Sequence, residues 1–216
     1  MNQPNFNAVF FDLGMVLVYF DWNIAVPRFA AHSGGDRKRV RRFIADPVHV
    51  KFERKELSGD EFFRYGQDLM GFRGTREQFQ SCWNEIFTEI PEGVAALREL
   101  ASRCPVFVIS NTNPWHAAYL EQRYDWMKLF SKRFYSCDIG ARKPERQIFE
   151  YALREAGVAA ADALLIDDRL ENIEGAQELG MQTLHAVSPS VLKARTRELL
   201  GQDTAWRAPE TVKATR

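Results

Sequence analysis

Six polar residues stand where apolar runs stop. Asp12 follows AVFF, Ser110 and Asn111 follow VFVI, Lys143 comes a short way beyond FYSC, and Asp167 with Asp168 follows ALLI. Together they form an inventory suited to phosphoryl transfer. A carboxylate can attack phosphorus and carry the group as an aspartyl phosphate, and carboxylates converging on one rim bind magnesium through hard oxygen ligands. A hydroxyl, backbone N–H groups and an ammonium can hold phosphate oxygens as charge develops on them. Each residue also has an ordinary reading. An Asp after a strand is commonly an N-cap or turn residue, Asp167 and Asp168 could cap a helix beginning near Glu171, and Lys143 could be a solvated lysine. Two adjacent carboxylates after a wholly apolar run are harder to explain that way, because they repel each other unless a cation lies between them and Asp12. Pro144 suits the first turn of a helix, which would fix Lys143 near the rim.

These residues need elements to bring them together. Short apolar runs at 8–11, 106–109, 163–166 and 183–187 read as buried parallel strands. Amphipathic stretches at 91–103, 146–156 and 172–179 read as the helices between them. That alternation predicts an α/β fold, a Rossmann-like doubly wound parallel sheet, in which ligands sit beyond the carboxyl ends of the strands. The stretch from about Phe20 to Phe87 is too long for a single crossover. Within it, Ser58 to Glu61 and Thr75 to Gln78 match the capping box S/T-x-x-E/Q ahead of apolar residues at helical spacing. With further helices expected at 24–31 and 37–44, the insertion reads as a small helical bundle whose aromatics form its core. A helix is expected from about Ser188 to Leu200, followed by a frayed tail.

Composition narrows the partners. Lysine plus arginine and aspartate plus glutamate both total 29 among 216 residues, so no global field favours nucleic acid or an anionic membrane. The most apolar window, at 8–20, is interrupted by Asp12 and Gly14 and is too short to span a bilayer. Cys82, Cys104 and Cys137 form no C-x-x-C pair, and the opening residues lack the pattern of a secretory signal. The expectation is a cytoplasmic protein with buried, free thiols.

FFDLGMVL, VFVISNTN, GARKPERQIF and LLIDDRLENIEGAQELG, in this order and spacing, resemble the four motifs of the haloacid dehalogenase superfamily. The likeness runs from about residue 8 to 187. Within the superfamily, the F-D-L-G opening, S-N-T-N and D-D-x-x-x-N-I-x-G-A are similar to a group of bacterial phosphatases that includes enzymes acting on α-D-glucose 1-phosphate. The resemblance implies a catalytic core at 1–19 and 88–216, with a helical cap at 20–87 inserted after the first strand. It implies a magnesium-dependent phosphatase acting on a small phosphorylated metabolite, with Asp12 as nucleophile. Ser110, Asn111 and Lys143 would bind the phosphoryl group. Asp12, Asp167, Asp168 and the Gly14 carbonyl would hold Mg2+, and Asn172 would support the acidic loop.

Gly14 departs from the pattern, since the motif D-x-D-G-T carries there a second Asp that serves as acid and base. His116 could take over that role or simply contribute to a helix start. Two rival activities follow from the same residues. A hydrolytic dehalogenase also lacks the second Asp, but its fourth motif lacks the adjacent acidic pair. A catalytically idle binding protein would retain the fold alone.

Overall fold

The computed structural model describes residues 6–201, so the expected tail beyond Gly201 lies outside the described residues. The sequence alternation becomes a five-stranded parallel sheet of order β5-β4-β1-β6-β7. Its strands are β1 (Ala8–Phe11), β4 (Val106–Ser110), β5 (Lys132–Tyr135), β6 (Ala163–Asp167) and β7 (Gln182–His185). A two-stranded antiparallel ribbon is made by β2 (Val18–Phe20) and β3 (Phe87–Glu89).

The helices are α1 (Trp22–His32), α2 (Arg37–Ile44), α3 (Val48–Glu53), α4 (Gly59–Met70), α5 (Arg76–Asn84), α6 (Pro91–Ala101), α7 (Pro114–Arg123), α8 (Ser136–Ile139), α9 (Arg146–Ala156), α10 (Leu170–Gln177) and α11 (Pro189–Leu199). Among the described residues no helix is long and apolar enough to cross a membrane. Cys82 and Cys137 are buried and Cys104 half-buried, all as free thiols.

Both faces of the sheet are covered, and the two-residue period of a strand decides which residue goes where. Val9, Phe11, Val108 and Ile166 join one core with Leu97, Leu100 and Leu192 from α6 and α11. Ala8, Phe10, Ile109 and Leu165 join the other with Phe149, Ala152 and Ile173 from α9 and α10. The chain winds from β1 through β4 to β5 on one side, then crosses back to β6 and β7 on the other. The carboxyl end of β1 therefore lies at the switch point, flanked by the ends of β4 and β6. Gly93 permits α6 to start hard against the loop after β1, since a Cβ there would lie 2.0 Å from the Val16 carbonyl oxygen.

Helices α1 to α5 bury a third apolar cluster, rich in Phe29, Phe43, Phe62, Phe79 and Trp83. Both expected capping boxes are present, at Ser58–Glu61 and Thr75–Gln78. Trp115 of α7 inserts into the same cluster and so ties these helices to the sheet. The ribbon β2–β3 was not foreseen, and it gathers the entry and exit of the insertion side by side. Its strands are three residues long, and the anticipated limits at Phe20 and Phe87 are register partners within it.

Candidate active site

The strand ends bring the predicted polar residues to one rim. β1 is held in register by the Asp12 N–H donating to the Ile166 carbonyl at 2.9 Å, which sets Asp12 beside the end of β6. Lys143 Nζ lies 3.1 Å from Asp12 Oδ1 and 2.6 Å from Asp167 Oδ2. All three residues are buried. Asp12 Oδ1 also accepts from the Leu13 N–H at 2.8 Å, and the Ser110 hydroxyl favours the charged form of the same carboxylate. The other oxygen of Asp167 accepts from the Arg169 N–H and from Asn172 Nδ2, both at 2.9 Å, so Asn172 does brace the acidic loop.

Lys143 reaches the rim as expected, but by a different means. Pro144 does not open a helix, because α9 begins at Arg146 with Glu145 as its cap. Instead the Asn111 side chain clamps the Lys143 backbone. Its Oδ1 accepts from the Lys143 N–H at 2.8 Å and its Nδ2 donates to the Lys143 carbonyl at 2.9 Å. The Asn111 amide thus positions the lysine, a use of this residue that a strand-end reading does not reveal.

Electrostatics explains what this rim can hold. Burial raises the Asp12 carboxyl above its ordinary range and Asp167 adds to the rise, while Lys143 and Ser110 oppose it. Asp168 is pushed up to about 6, first by burial and then by Asp12 and Asp167. Burial alone would lower the Lys143 ammonium, but the two carboxylates beside it outweigh that and keep it raised. Asp12, Asp167 and Asp168 each offer an oxygen within 4.8 Å of the others. Three carboxylates against one ammonium leave an excess of negative charge in a largely buried site, and a hard divalent cation is the partner that oxygen-only donor set fits.

Gly14 borders the same cavity. A Cβ at this position would meet Phe20 Cε1 at 3.2 Å, so an aromatic ring closes off the space next to it. His116 does not replace the missing acid. Asn113 Nδ2 lies 3.0 Å from its Nδ1, and its Nε2 lies 3.0 Å from the Trp83 carbonyl. The imidazole is buried, and that burial lowers it to about 4, so it stays neutral with both nitrogens engaged. Neutral His116 accepts at Nδ1 and donates from Nε2, acting as a strut between α7 and α5.

The cavity has a volume of about 280 Å³. Sequence reasoning missed part of its lining: His49 and Glu53 on α3, and Arg142 just before Lys143. Glu53 Oε2 lies 2.9 Å from Arg142 Nη2, and Arg54 pairs with Glu145 beside it. The two pairs cross between α3 and the segment carrying Lys143. Asp46 and Pro47, a turn signal just ahead of these residues, were the available clue to a short helix here.

A family model described as haloacid dehalogenase-like hydrolase matches residues 7–180, which include all of these rim positions. The chain belongs to this hydrolase family. It is 27% identical to a D-ribitol-5-phosphate phosphatase of Bacteroides thetaiotaomicron, over 81% of this chain and 89% of that protein. It is 29% identical to a sesquiterpene phosphatase of Aspergillus oryzae, over 91% of this chain and 97% of that one. A haloacid dehalogenase family enzyme of Bacteroides thetaiotaomicron, solved as a mutant with magnesium and inorganic phosphate, shares the fold. Its TM-score is 0.75 at 22% identity, covering 83% of this hydrolase and 93% of that chain. None of these relatives is named for glucose 1-phosphate.

Proposed function

We propose that this hydrolase is a magnesium-dependent phosphomonoesterase that acts on a small phosphorylated metabolite, a sugar phosphate in its finer form, through an aspartyl phosphate on Asp12. The observation that carries the reading is the buried contact of Lys143 Nζ with both Asp12 and Asp167 at the switch point of the sheet. The names of the two phosphatase relatives support it, as does the magnesium and phosphate complex of the structural neighbour.

In this reading Asp12, Asp167, Asp168 and the Gly14 carbonyl hold magnesium, which offsets carboxylate repulsion and draws charge from the phosphate oxygens. Lys143 and the Ser110 hydroxyl, with the backbone at Asn111, bind the phosphoryl group. The Asp12 carboxylate forms a bond to phosphorus as the ester P–O bond breaks, and the departing oxygen takes a proton. Water then attacks the aspartyl phosphate, releasing inorganic phosphate and restoring the carboxylate. With Gly14 in place of a carboxylic acid and His116 locked, that first proton comes from solvent or from the substrate itself. Such a site favours leaving groups that need little protonation, which include the anomeric oxygen of a sugar 1-phosphate. Residues 20–87 act as the cap that covers the rim and selects the substrate, while 1–19 and 88–216 form the catalytic core.

The test is phosphate release from a panel of sugar phosphates, nucleotides and p-nitrophenyl phosphate, with and without magnesium. Release that requires magnesium is expected, and Asp167→Ala should shift or abolish that requirement. Chloride release from a 2-haloacid without magnesium, and no phosphate release, would turn the reading toward the dehalogenase activity that the acidic pair opposes.

A further inference from the structure

Two ion pairs join the insertion to the turn that carries Lys143. Phe52 is buried in the insertion, its ring centroid 4.6 Å from that of Phe62, while the next two residues, Glu53 and Arg54, reach out of it. Glu53 Oε2 lies 2.9 Å from Arg142 Nη2, and the Arg54 guanidinium pairs with the Glu145 carboxylate, Nη1 donating to Oε2 at 3.2 Å. Glu145 itself closes a turn over Lys143 and Pro144. Its N–H donates to the Arg142 carbonyl at 2.7 Å, and its Oε2 accepts from the Arg142 N–H at 3.3 Å. Partly exposed ion pairs contribute little to stability, so the convergence of two of them on one turn points to geometry rather than to folding energy.

We propose that Glu53 and Arg54 are positioning residues for Lys143, so that the insertion sets the geometry at the phosphoryl end of the substrate. The inference rests on the phosphatase reading, in which Lys143 binds the transferring group. A lysine ammonium sits on a flexible four-carbon stem, so the place of its Nζ depends on where the turn holds that stem. Asn111 ties the turn to β4 through the Lys143 backbone, and a Cβ at Gly175 would lie 2.9 Å from the Pro144 carbonyl oxygen, so α10 packs closely against the turn as well. Glu53 and Arg54 hold its two ends, Arg142 and Glu145, from the opposite element. Arg54 lies outside the cavity lining and therefore acts through Glu145 and the turn. A misplacement of about 1 Å caused by a change far from the chemistry can cost about 10²-fold in rate, so even a partial shift of this turn should register.

The experiment is a double-mutant cycle between Arg54→Gln and Lys143→Ala, read as kcat/KM for p-nitrophenyl phosphate on the full chain with saturating magnesium. Arg54→Gln removes the cation without adding an anion near the substrate. It should lower kcat/KM about tenfold when Lys143 is present, and by less than about threefold when Lys143 is already alanine, because the side chain it positions is then gone. A role confined to folding would cost the same factor in both backgrounds. If Arg54→Gln does not fold, as judged by circular dichroism, Glu145→Gln tests the same pair from the side of the turn, with the same thresholds. A loss below about threefold with Lys143 present, or equal losses in the two backgrounds, would overturn the positioning role. Failure of the wild-type protein to release phosphate from p-nitrophenyl phosphate with magnesium would instead overturn the phosphatase reading and the inference with it.

Discussion

The strand-end rim and the helical insertion bury their residues to opposite ends. At the rim, Asp12, Ser110, Lys143, Asp167 and Asn172 are polar or charged and buried, held by hydrogen bonds and ion pairs. Across residues 20–87, Ser33 is the one polar residue among the described residues to be buried, and the buried cluster of this stretch is aromatic and aliphatic. The rim draws charges into low dielectric, where two carboxylates are raised by the loss of water. The insertion does the reverse, removing apolar surface from water and gaining roughly 25 cal/mol per Å². Stability and reactivity are thus separated in space, and the cavity lies where the two regions meet.

That contrast breaks most visibly at Asp12. Asp12→Asn should lower turnover by at least about a thousandfold, because an amide is nearly isosteric but cannot attack phosphorus. Its unfolding midpoint in denaturant should be no lower than that of the wild-type protein, since the change removes one of three mutually repelling carboxylates. Retention of more than a few per cent of activity, with deamidation excluded by mass spectrometry, would remove Asp12 from the chemistry. The opposite pattern is expected in the insertion. The Phe79 ring centroid lies 4.9 Å from that of Phe29 and 5.2 Å from that of Phe72, and a Cβ at Gly66 would come within 2.4 Å of its ring. Phe79→Ala should cost about 3–5 kcal/mol of stability, read from urea unfolding. A loss below about 1 kcal/mol would mean that this cluster does not hold the insertion together.

The same division decided what the sequence could disclose. β1, β4 and β6 were legible because each is a wholly buried run with a polar residue at or just past its end, and α2 and α9 match their expected spans at both ends. The capping boxes were legible because their signal is local. The ribbon β2–β3 was not, since three residues carry no usable period and their pairing spans a separation of about seventy positions. Helix α3 was also missed, being only six residues long, and with it went Glu53 and His49. Asp12, Lys143, Asp167 and Asp168 could be nominated from strand ends. The Asn111 clamp could not, because it depends on how the segment after α8 folds back against β4.

Lys143 tests whether the clamp and the charge at the rim matter together. Lys143→Ala should reduce kcat/KM by about 10²–10³, the usual cost of losing one donor to developing phosphate charge. Unlike Asp12→Asn it should also lower stability, because Asp12 and Asp167 lose the cation between them. Normal kinetics would make the lysine purely structural.

His116 bridges the two regions, and its effect is expected in stability rather than in rate. Its folded pKa is lowered from 6.5 to about 4, so between those values the unfolded chain binds more protons than the native one. The native state is therefore fully favoured above pH 6.5 and loses this contribution as pH falls toward 4, by about 3 kcal/mol in all. His116→Gln should flatten the slope of stability against pH in that window. An unchanged slope would show that the imidazole titrates freely.

The smallest effect expected concerns Gly14, and it separates the absence of an acid from the presence of a wall. A correctly placed general acid is typically worth about 10²–10⁴-fold, and its benefit is greatest when the departing oxygen is most basic. Without one, rates across aryl phosphates that differ only in ring substituent should rise steeply as leaving-group pKa falls. Gly14→Asp restores a carboxyl at this position, but its Cβ must share space with the Phe20 ring 3.2 Å away. Phe20 is 41% exposed and can give way, so the variant should fold. On p-nitrophenyl phosphate, whose leaving group needs little proton assistance, the change should stay within about threefold of the wild-type rate. Any gain should be confined to the poorest leaving groups and should flatten the dependence on leaving-group pKa. If the wild-type protein already shows a flat dependence with chemistry limiting, another group delivers the proton. Glu53, the remaining carboxylate in the lining, would then be the first residue to examine, through the same aryl series in Glu53→Gln.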